Sequence, residues 1–237
     1  MQKLDLHKFI SPGDLVFDVG SCEGAKAAEY LNHGASRVIA FEPNPTMQEF
    51  LHKRFDEDPR VTIDPRGLWE KTGIIRFHVS TTNPATSTFI DSVPEYYEAY
   101  NRAYRDMPDY IQWDNDILVP VFTLDDAFDL YGIPSFIKID VESSEEYVLR
   151  GMNTIVPAIS FEFYPKPLST FKDSVEVAKS IGYKKFNYII SQSSDWNVSE
   201  SFDYAFDDWV DYETLLEKLL REPINPHSVY GDIYAKA

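Results

Sequence analysis

Short apolar segments alternate with helical patterns along most of this chain, and this alternation limits the folds that it can adopt. The segments LVFDVG (15–20) and RVIAFEP (37–43) each precede an amphipathic helical pattern. The segments SFIKIDVE (135–142) and AISFEFY (158–164) repeat the arrangement later in the chain. Continuous apolar runs of this length are typical of strands that are covered on both faces. The pattern therefore predicts an α/β fold with a mostly parallel sheet and helices on both faces.

One stretch, residues 82–118, interrupts this alternation. It is rich in Tyr, Asp and Asn, and it has no continuous apolar run. A helical pattern within it places Tyr96, Tyr100 and Tyr104 on one side. We predict an inserted helical lid in which these three rings bind the substrate; packing of the rings onto the rest of the protein is the alternative. The length of 237 residues suits a single domain, residues 1–237, with this insertion.

The net charge excludes several classes of partner. The chain has 22 lysines and arginines against 39 aspartates and glutamates, which gives a formal charge of −17 at pH 7. Such a surface repels phosphate backbones and anionic lipids, so we expect no nucleic-acid partner. No apolar run approaches the roughly 20 residues that cross a membrane. The first residues also lack a long apolar segment with a cleavage signal, so we expect a cytoplasmic protein.

Soft metal ligands are scarce in the sequence. The one cysteine, Cys22, cannot close an internal disulfide or form a multi-cysteine zinc site. No two of the five histidines stand at ligand spacing, so we predict no zinc site. A magnesium ion held by Asp140 and a second oxygen ligand stays open as an alternative, because hard cations use carboxylates.

The end of the first strand carries the segment DVGSCEG (18–24), at the place where parallel α/β sheets bind ligands. Gly20 allows a sharp turn and a close ligand approach, and Gly24 permits close packing where the next helix begins. An NAD site would need a glycine at Cys22, and the nearby carboxylates disfavour a pyrophosphate. A cationic or zwitterionic adenosyl ligand fits better, since Asp18 could accept a hydrogen bond from an ammonium group. An ordinary strand–turn–helix without a ligand is the alternative.

Glu42 ends the second strand, about twenty residues after Gly20, where an acidic residue accepts the hydroxyl groups of an adenosine ribose. Pro43 stiffens the loop that would hold this carboxylate. Together the two loops favour S-adenosylmethionine over NAD. We assign to the cofactor site the following residues: Asp18, Gly20, Ser21, Gly24, Glu42 and Pro43.

Five segments of the chain resemble, in the same order, the FkbM family of S-adenosylmethionine-dependent methyltransferases. They are DVGSCEG (18–24), FEPNP (41–45), VPVFTLDDAF (119–128), FIKIDVESSEEYVLRG (136–151) and ISFEFY (159–164). The resemblance implies a Rossmann-like class I methyltransferase fold with a seven-stranded sheet. It also implies O-methylation of a hydroxyl group on a carbohydrate, a glycan or a related natural product. The family usually has asparagine in place of Cys22 and glycine in place of Ser143, which bears on cofactor contacts and on loop stiffness.

Methylation of an alcohol calls for a base or a metal ion, because the hydroxyl proton must leave during or after attack. Alternation along a strand would place Lys138, Asp140 and Glu142 on one face, open toward the methyl group. We predict Asp140 as the base, Glu142 as the second candidate, and Lys138 as the cation that holds a carboxylate; a purely structural ion pair is the alternative. Glu162, in the next strand, is predicted either to support this group or to contact the acceptor.

Two other functions stay open at this point. One is an NAD-dependent oxidoreductase on a similar sheet, which Asp18 and Cys22 disfavour. The other is a non-catalytic module that kept the cofactor fold, which the retained charges of KIDVE disfavour. Stabilisation by adenosylhomocysteine but not by NAD would separate the first of these from a methyltransferase.

Overall fold

The computed structural model describes residues 9–91, 111–163, 169–191, 202–204, 209–221 and 231–237. Its elements, in chain order, are β1 (Leu15–Val19), α1 (Ala25–Asn32), β2 (Arg37–Phe41), α2 (Pro45–Phe55), β3 (Val61–Asp64), β4 (Gly67–Leu68), β5 (Gly73–Ser80), β6 (Trp113–Phe122), α3 (Leu124–Tyr131), β7 (Phe136–Ile139), α4 (Glu145–Arg150), β8 (Ala158–Phe163), α5 (Ser169–Ile181), β9 (Lys185–Ser191), β10 (Phe202–Tyr204), α6 (Tyr212–Arg221) and β11 (Gly231–Lys236).

The main sheet has the strand order β10-β9-β11-β8-β7-β1-β2-β3. Strands β1, β2, β3, β7 and β8 run parallel, whereas β11 is antiparallel to both of its neighbours. The chain moves outward from β1 to β3 and then returns to place β7 on the other side of β1. The strand order therefore reverses between β1 and β7, and ligands of open α/β sheets bind beyond the carboxyl ends of strands at such a point.

Helices cover both faces of this sheet. Phe17 and Ile137 point to one face and pack with α3, α4, α5 and α6, while Val16 and Phe136 point to the other and pack with α1 and α2. The predicted Rossmann-like architecture, mostly parallel with helices on both faces, is confirmed. Seven strands form the predicted sheet, and the short β10 extends it at one edge. None of the helices in the described part of the chain is long and apolar enough to cross a membrane.

A second sheet, with the order β4-β6-β5, corrects one boundary of the predicted insertion. Residues 113–118 belong to β6, which pairs antiparallel with β5, so they are not part of a helical lid. This part of the strand was not predicted from the sequence because only one of its faces is buried. Ile117 and Val119 pack inward, whereas Asp116 and Leu118 are exposed. The three predicted substrate-binding tyrosines, Tyr96, Tyr100 and Tyr104, lie outside the described residues.

Candidate active site

An open cleft of about 490 Å³ lies beyond the carboxyl ends of β1, β2 and β7. Five parts of the chain line the cleft: the turn after β1, the β2–α2 region, the second sheet with Arg66 just before it, residues 84–89 and the loop after β7. The cleft thus lies at the edge where the topology places ligand sites.

The turn after β1 brings two segments of backbone into close contact at Gly20. This residue has φ 78°, and a β-carbon added there would lie 1.8 Å from the carbonyl oxygen of Asp140. Gly24, with φ 75°, caps α1, and a β-carbon there would lie 2.4 Å from the ring of Phe55. Both positions need glycine, because side chains disfavour positive φ and have no room here. The sharp turn and the close helix packing expected from the sequence are both present.

Glu42 is held at the end of β2 by two backbone N–H groups. Cys22 donates to its Oε2 atom and Asn44 donates to its Oε1 atom, each at 2.8 Å. The side chain lies in the wall of the cleft next to Pro43, and the residue is 6% exposed. Burial raises the pKa of Glu42 to about 7, although the two hydrogen bonds oppose this rise. One carboxylate therefore joins both loops of the predicted cofactor site.

Asp18 and Ser21 lie behind this wall and do not line the cleft. Asp18 is 2% exposed, and its Oδ2 atom accepts a hydrogen bond from Ser21 Oγ at 2.6 Å. Burial raises the pKa of Asp18 to about 6, while the bond from Ser21 lowers it. The pair supports the turn, and a direct contact of Asp18 with a ligand stays a prediction.

Cys22 occupies the position at which this chain departs from the resembled pattern. Its thiol lies in the cleft, 3.4 Å from the sulfur of Met47. Burial and the carboxylate of Glu42 raise the pKa of this thiol to about 12, so it stays protonated and unreactive at neutral pH.

Three carboxylates meet beside the cleft, and we call them the acidic cluster: Asp140 and Glu142, which line the cleft, and Glu162, which does not. One oxygen atom of each lies within 4.8 Å of the others, and all three residues are partly exposed. The expectation that one strand face unites Asp140 and Glu142 is wrong, because β7 ends at Ile139 and Glu142 has φ 54°. A left-handed turn brings Glu142 to the cluster instead. These oxygen atoms are also a donor set that could hold a divalent hard cation.

Lys138 is the cation beneath the acidic cluster. It is 4% exposed; its Nζ atom lies 3.3 Å from Asp140 Oδ2 and also contacts the carboxylate of Asp232. Burial alone would lower the pKa of Lys138, but the carboxylates of Asp140, Asp232 and Glu162 outweigh it and hold the pKa well above its usual value. Lys138 therefore stays charged and contacts Asp140, and its role in orienting a base stays a prediction.

Two further acids surround this group, and sequence reasoning did not single them out. Asp232 of β11 lies directly opposite Glu162 of β8 in the antiparallel register of these two strands. Glu145, 5% exposed, accepts a hydrogen bond from the Val141 N–H at 3.0 Å, and burial raises its pKa to about 7. Partial burial also raises the pKa of Glu162 well above its usual value, and the charges of Asp140 and Glu142 add to the rise. In β11, Asp232 directly precedes the apolar residues Ile233–Ala235, and this local pattern gives no sign of its contact with Lys138.

A family model for the methyltransferase FkbM domain matches residues 18–213 of this chain. The chain belongs to the FkbM methyltransferase family. The matched range includes both predicted cofactor loops, Lys138 and the acidic cluster, and it ends before β11, so Asp232 lies outside it. The family resemblance stated from the sequence is thereby confirmed.

Individual relatives of this FkbM methyltransferase domain are distant. The hexuronic acid methyltransferase AglP of Haloferax volcanii is 26% identical over 151 residues, which are 62% of this chain and 54% of that protein. The chain thus spans about half the length of this curated relative. Among solved structures, the methyltransferase FkbM of Methylobacillus flagellatus KT is 20% identical with a TM-score of 0.45, over 76% of this chain and 45% of that one. A precorrin-6y C5,15-methyltransferase of Geobacter metallireducens GS-15 is 12% identical with a TM-score of 0.48, over 100% of this chain and 90% of that one.

Proposed function

We propose that this FkbM methyltransferase transfers the methyl group of S-adenosylmethionine to a hydroxyl group of a carbohydrate or glycan. The observation that carries the proposal is that Glu42 and Asp140 line one cleft, at the ends of strands on either side of β1. Glu42 belongs to the half that would bind the cofactor. Asp140 belongs to the half that would bind the acceptor.

Glu42 suits the ribose of the cofactor because its carboxylate oxygens can accept further hydrogen bonds. Each of its oxygens accepts one backbone N–H group and keeps a further lone pair for a hydroxyl donor. Gly20 lines the cleft at the same edge, and its lack of a side chain lets the turn after β1 pack against the backbone of Asp140. The remaining predicted cofactor residues, Asp18, Ser21, Gly24 and Pro43, would shape these two loops. NAD stays the weaker alternative, since Cys22 stands at the middle glycine position of its fingerprint.

Asp140 suits the chemistry at the acceptor. When bound, the sulfonium group of S-adenosylmethionine supplies an electrophilic methyl group and leaves as a thioether. Asp140 would accept the proton that the acceptor hydroxyl loses, and Lys138, 3.3 Å from its carboxylate, would fix its orientation. Glu142 is the second candidate for this role, and Glu162 would support the pair or contact the acceptor. A divalent cation on the same three carboxylates is the alternative means of activating the hydroxyl.

The choice of a sugar as acceptor is supported by the family resemblance and by the hexuronic acid methyltransferase relative. It is tested by a screen of labelled methyl transfer onto free and glycan-bound sugars, uronic acids included. We expect adenosylhomocysteine to raise the melting temperature, NAD to leave it unchanged, and label to appear in a sugar product. Stabilisation by NAD would favour the oxidoreductase, and cofactor binding without transfer to any acceptor would favour a non-catalytic module.

Glu42→Ala tests the cofactor half directly. The ribose hydroxyls lose a charged acceptor, and hydrogen bonds to charged groups contribute about 1.5–3 kcal/mol, so we expect the Kd for adenosylhomocysteine to rise about tenfold or more at pH 8. Isothermal titration calorimetry measures this change. The matched control is Glu49→Ala, which removes an exposed acid from α2 and should leave the Kd unchanged.

The pH dependence of the Kd for adenosylhomocysteine gives a second test of the same variant, with a predicted direction. With a pKa of about 7, Glu42 is largely protonated at pH 6, and binding to the ribose diol favours the ionised form. Affinity in the wild type should therefore rise between pH 6 and pH 8, and part of this rise should vanish in Glu42→Ala. An unchanged Kd with an unchanged pH profile would remove Glu42 from the cofactor site.

A further inference from the structure

One short stretch, residues 83–90, joins the two halves of the cleft, and we call it the wall segment. It follows β5 and contains a 3-10 helix, Pro84–Thr86. Four of its residues line the cleft: Pro84, Ala85, Ser87 and Phe89. The cofactor loops and the acidic cluster include none of its residues, yet it contacts both.

Asn44 ties the wall segment to the cofactor half. The Asn44 side-chain amide, in a residue only 1% exposed, donates to the Pro84 carbonyl at 3.0 Å and to Ser87 Oγ at 3.1 Å. The backbone N–H of the same residue donates to Glu42 Oε1. Ser87 Oγ in turn accepts from the Ser80 N–H at 3.1 Å, which ties the segment to the end of β5. Asn44 thus fixes the ribose-binding carboxylate and the wall segment together.

Thr88 ties the wall segment to the acceptor half. Its hydroxyl donates to the carbonyl oxygen of Glu142 at 2.7 Å and accepts from the Ile90 N–H at 3.2 Å. Its backbone exchanges two hydrogen bonds with His78 of β5, at 2.8 and 2.9 Å. Because Thr88 is 2% exposed, water does not reach its hydroxyl readily to replace these bonds.

The turn that Thr88 contacts needs such support. Glu142 and Ser143 are consecutive residues with φ 54° and φ 75°, a left-handed conformation that residues with side chains rarely adopt. Such a conformation persists only where the surrounding structure enforces it. The loop has no glycine at either position to relieve the strain, so contacts from outside the loop must hold it.

We propose that Thr88 is a positioning residue for methyl transfer: its hydroxyl holds the Glu142 turn, and so fixes the acidic cluster at a set distance from the cofactor half. The inference rests on the proposed function. The acceptor binds where the cluster lies, and a displacement of about 1 Å in such a site can cost a hundredfold in rate. Loss of the hydroxyl should therefore affect the acceptor and spare the cofactor.

Thr88→Val removes the hydroxyl and keeps the shape of the side chain. We expect kcat/KM for the acceptor to fall about tenfold or more, with the Kd for adenosylhomocysteine within about twofold of the wild type. Thr88→Ser, which restores a hydroxyl, should recover most of the loss. The matched control is Thr72→Val, which removes a threonine hydroxyl that bonds Asp126 away from the cleft and should leave all constants unchanged.

Amide hydrogen exchange over residues 141–144 gives a readout that needs no acceptor, and Thr88→Val should speed it. Wild-type kinetics in Thr88→Val would overturn the proposal. A rise in the Kd for adenosylhomocysteine as large as the fall in kcat/KM would also overturn it, because such a parallel loss indicates a merely structural role. If the wild type transfers no methyl group, the proposed function fails by itself. In that case unchanged exchange in Thr88→Val would overturn the role of Thr88 as well, and faster exchange would support its hold on the turn.

Discussion

Asp140→Asn is expected to lower kcat by about a hundredfold or more, which is the usual cost of losing a general base. Asparagine keeps the size of the side chain and offers an amide oxygen to Lys138, so the contact at 3.3 Å can persist. The backbone carbonyl of Asp140, against which Gly20 packs, is unaffected. The Kd for adenosylhomocysteine should therefore stay within about twofold of the wild type, while the amide cannot accept the proton of the hydroxyl.

Initial rates at saturating cofactor, measured across pH 6–9, check this result. Glu142→Gln serves as the comparison, with a smaller expected loss. If Asp140→Asn methylates at the wild-type rate over this range, the base lies elsewhere and Glu142 is next in line. If a chelator abolishes wild-type activity and magnesium restores it, Asp140 is better described as a ligand in a cation site with Glu142 and Glu162.

The elements that the sequence predicted well are those covered on both faces. Strands β1, β2 and β8 match their predicted bounds within about two residues, because burial on both faces leaves a continuous apolar signal. Strand β6 was missed over residues 113–118, since its exposed face carries Asp114 and Asp116. A half-buried strand rich in aspartate has the composition of a loop.

The same contrast holds in the candidate site. The geometry of the two predicted cofactor loops was predictable because the residues of each loop are close in sequence and each loop follows an apolar strand. The place of Glu142 was predicted for the wrong reason, since a turn and not a strand brings it to Asp140. The substitution of glycine by Ser143 was the local sign of this strained turn. Asp232 could not be predicted, because it reaches Lys138 only when β11 returns beside β8.

Lys138→Met is expected to destabilise the folded protein strongly. Methionine fills a similar volume but leaves the carboxylates of Asp232, Asp140 and Glu162 without their buried cation. Removing one partner of a buried ion pair costs about 3–5 kcal/mol of unfolding free energy. The Asp140 side chain is 36% exposed, so water screens part of its interaction and the loss should lie toward the lower end of this range.

Urea denaturation of the wild type, Lys138→Met and the control Lys172→Met measures this loss. Lys172 makes an exposed pair with Glu176 at 3.5 Å, which should contribute well under 1 kcal/mol. A difference between Lys138→Met and the wild type no larger than that of the control would contradict the assignment of Lys138 as the buried cation of this site.

The difference in unfolding free energy between the wild type and Lys138→Met should depend on pH in a direction that Glu162 determines. Partial burial raises the pKa of Glu162 in the folded protein, and Lys138 opposes this rise. Without Lys138 the folded-state pKa rises further above the unfolded value of about 4.3, so the folded variant binds more protons than its unfolded chain. Its stability then falls more steeply than that of the wild type as pH increases. The loss of unfolding free energy in Lys138→Met, relative to the wild type, should be larger at pH 8 than at pH 5.5. If this loss instead becomes smaller toward pH 8, the uncompensated carboxylates are not its cause.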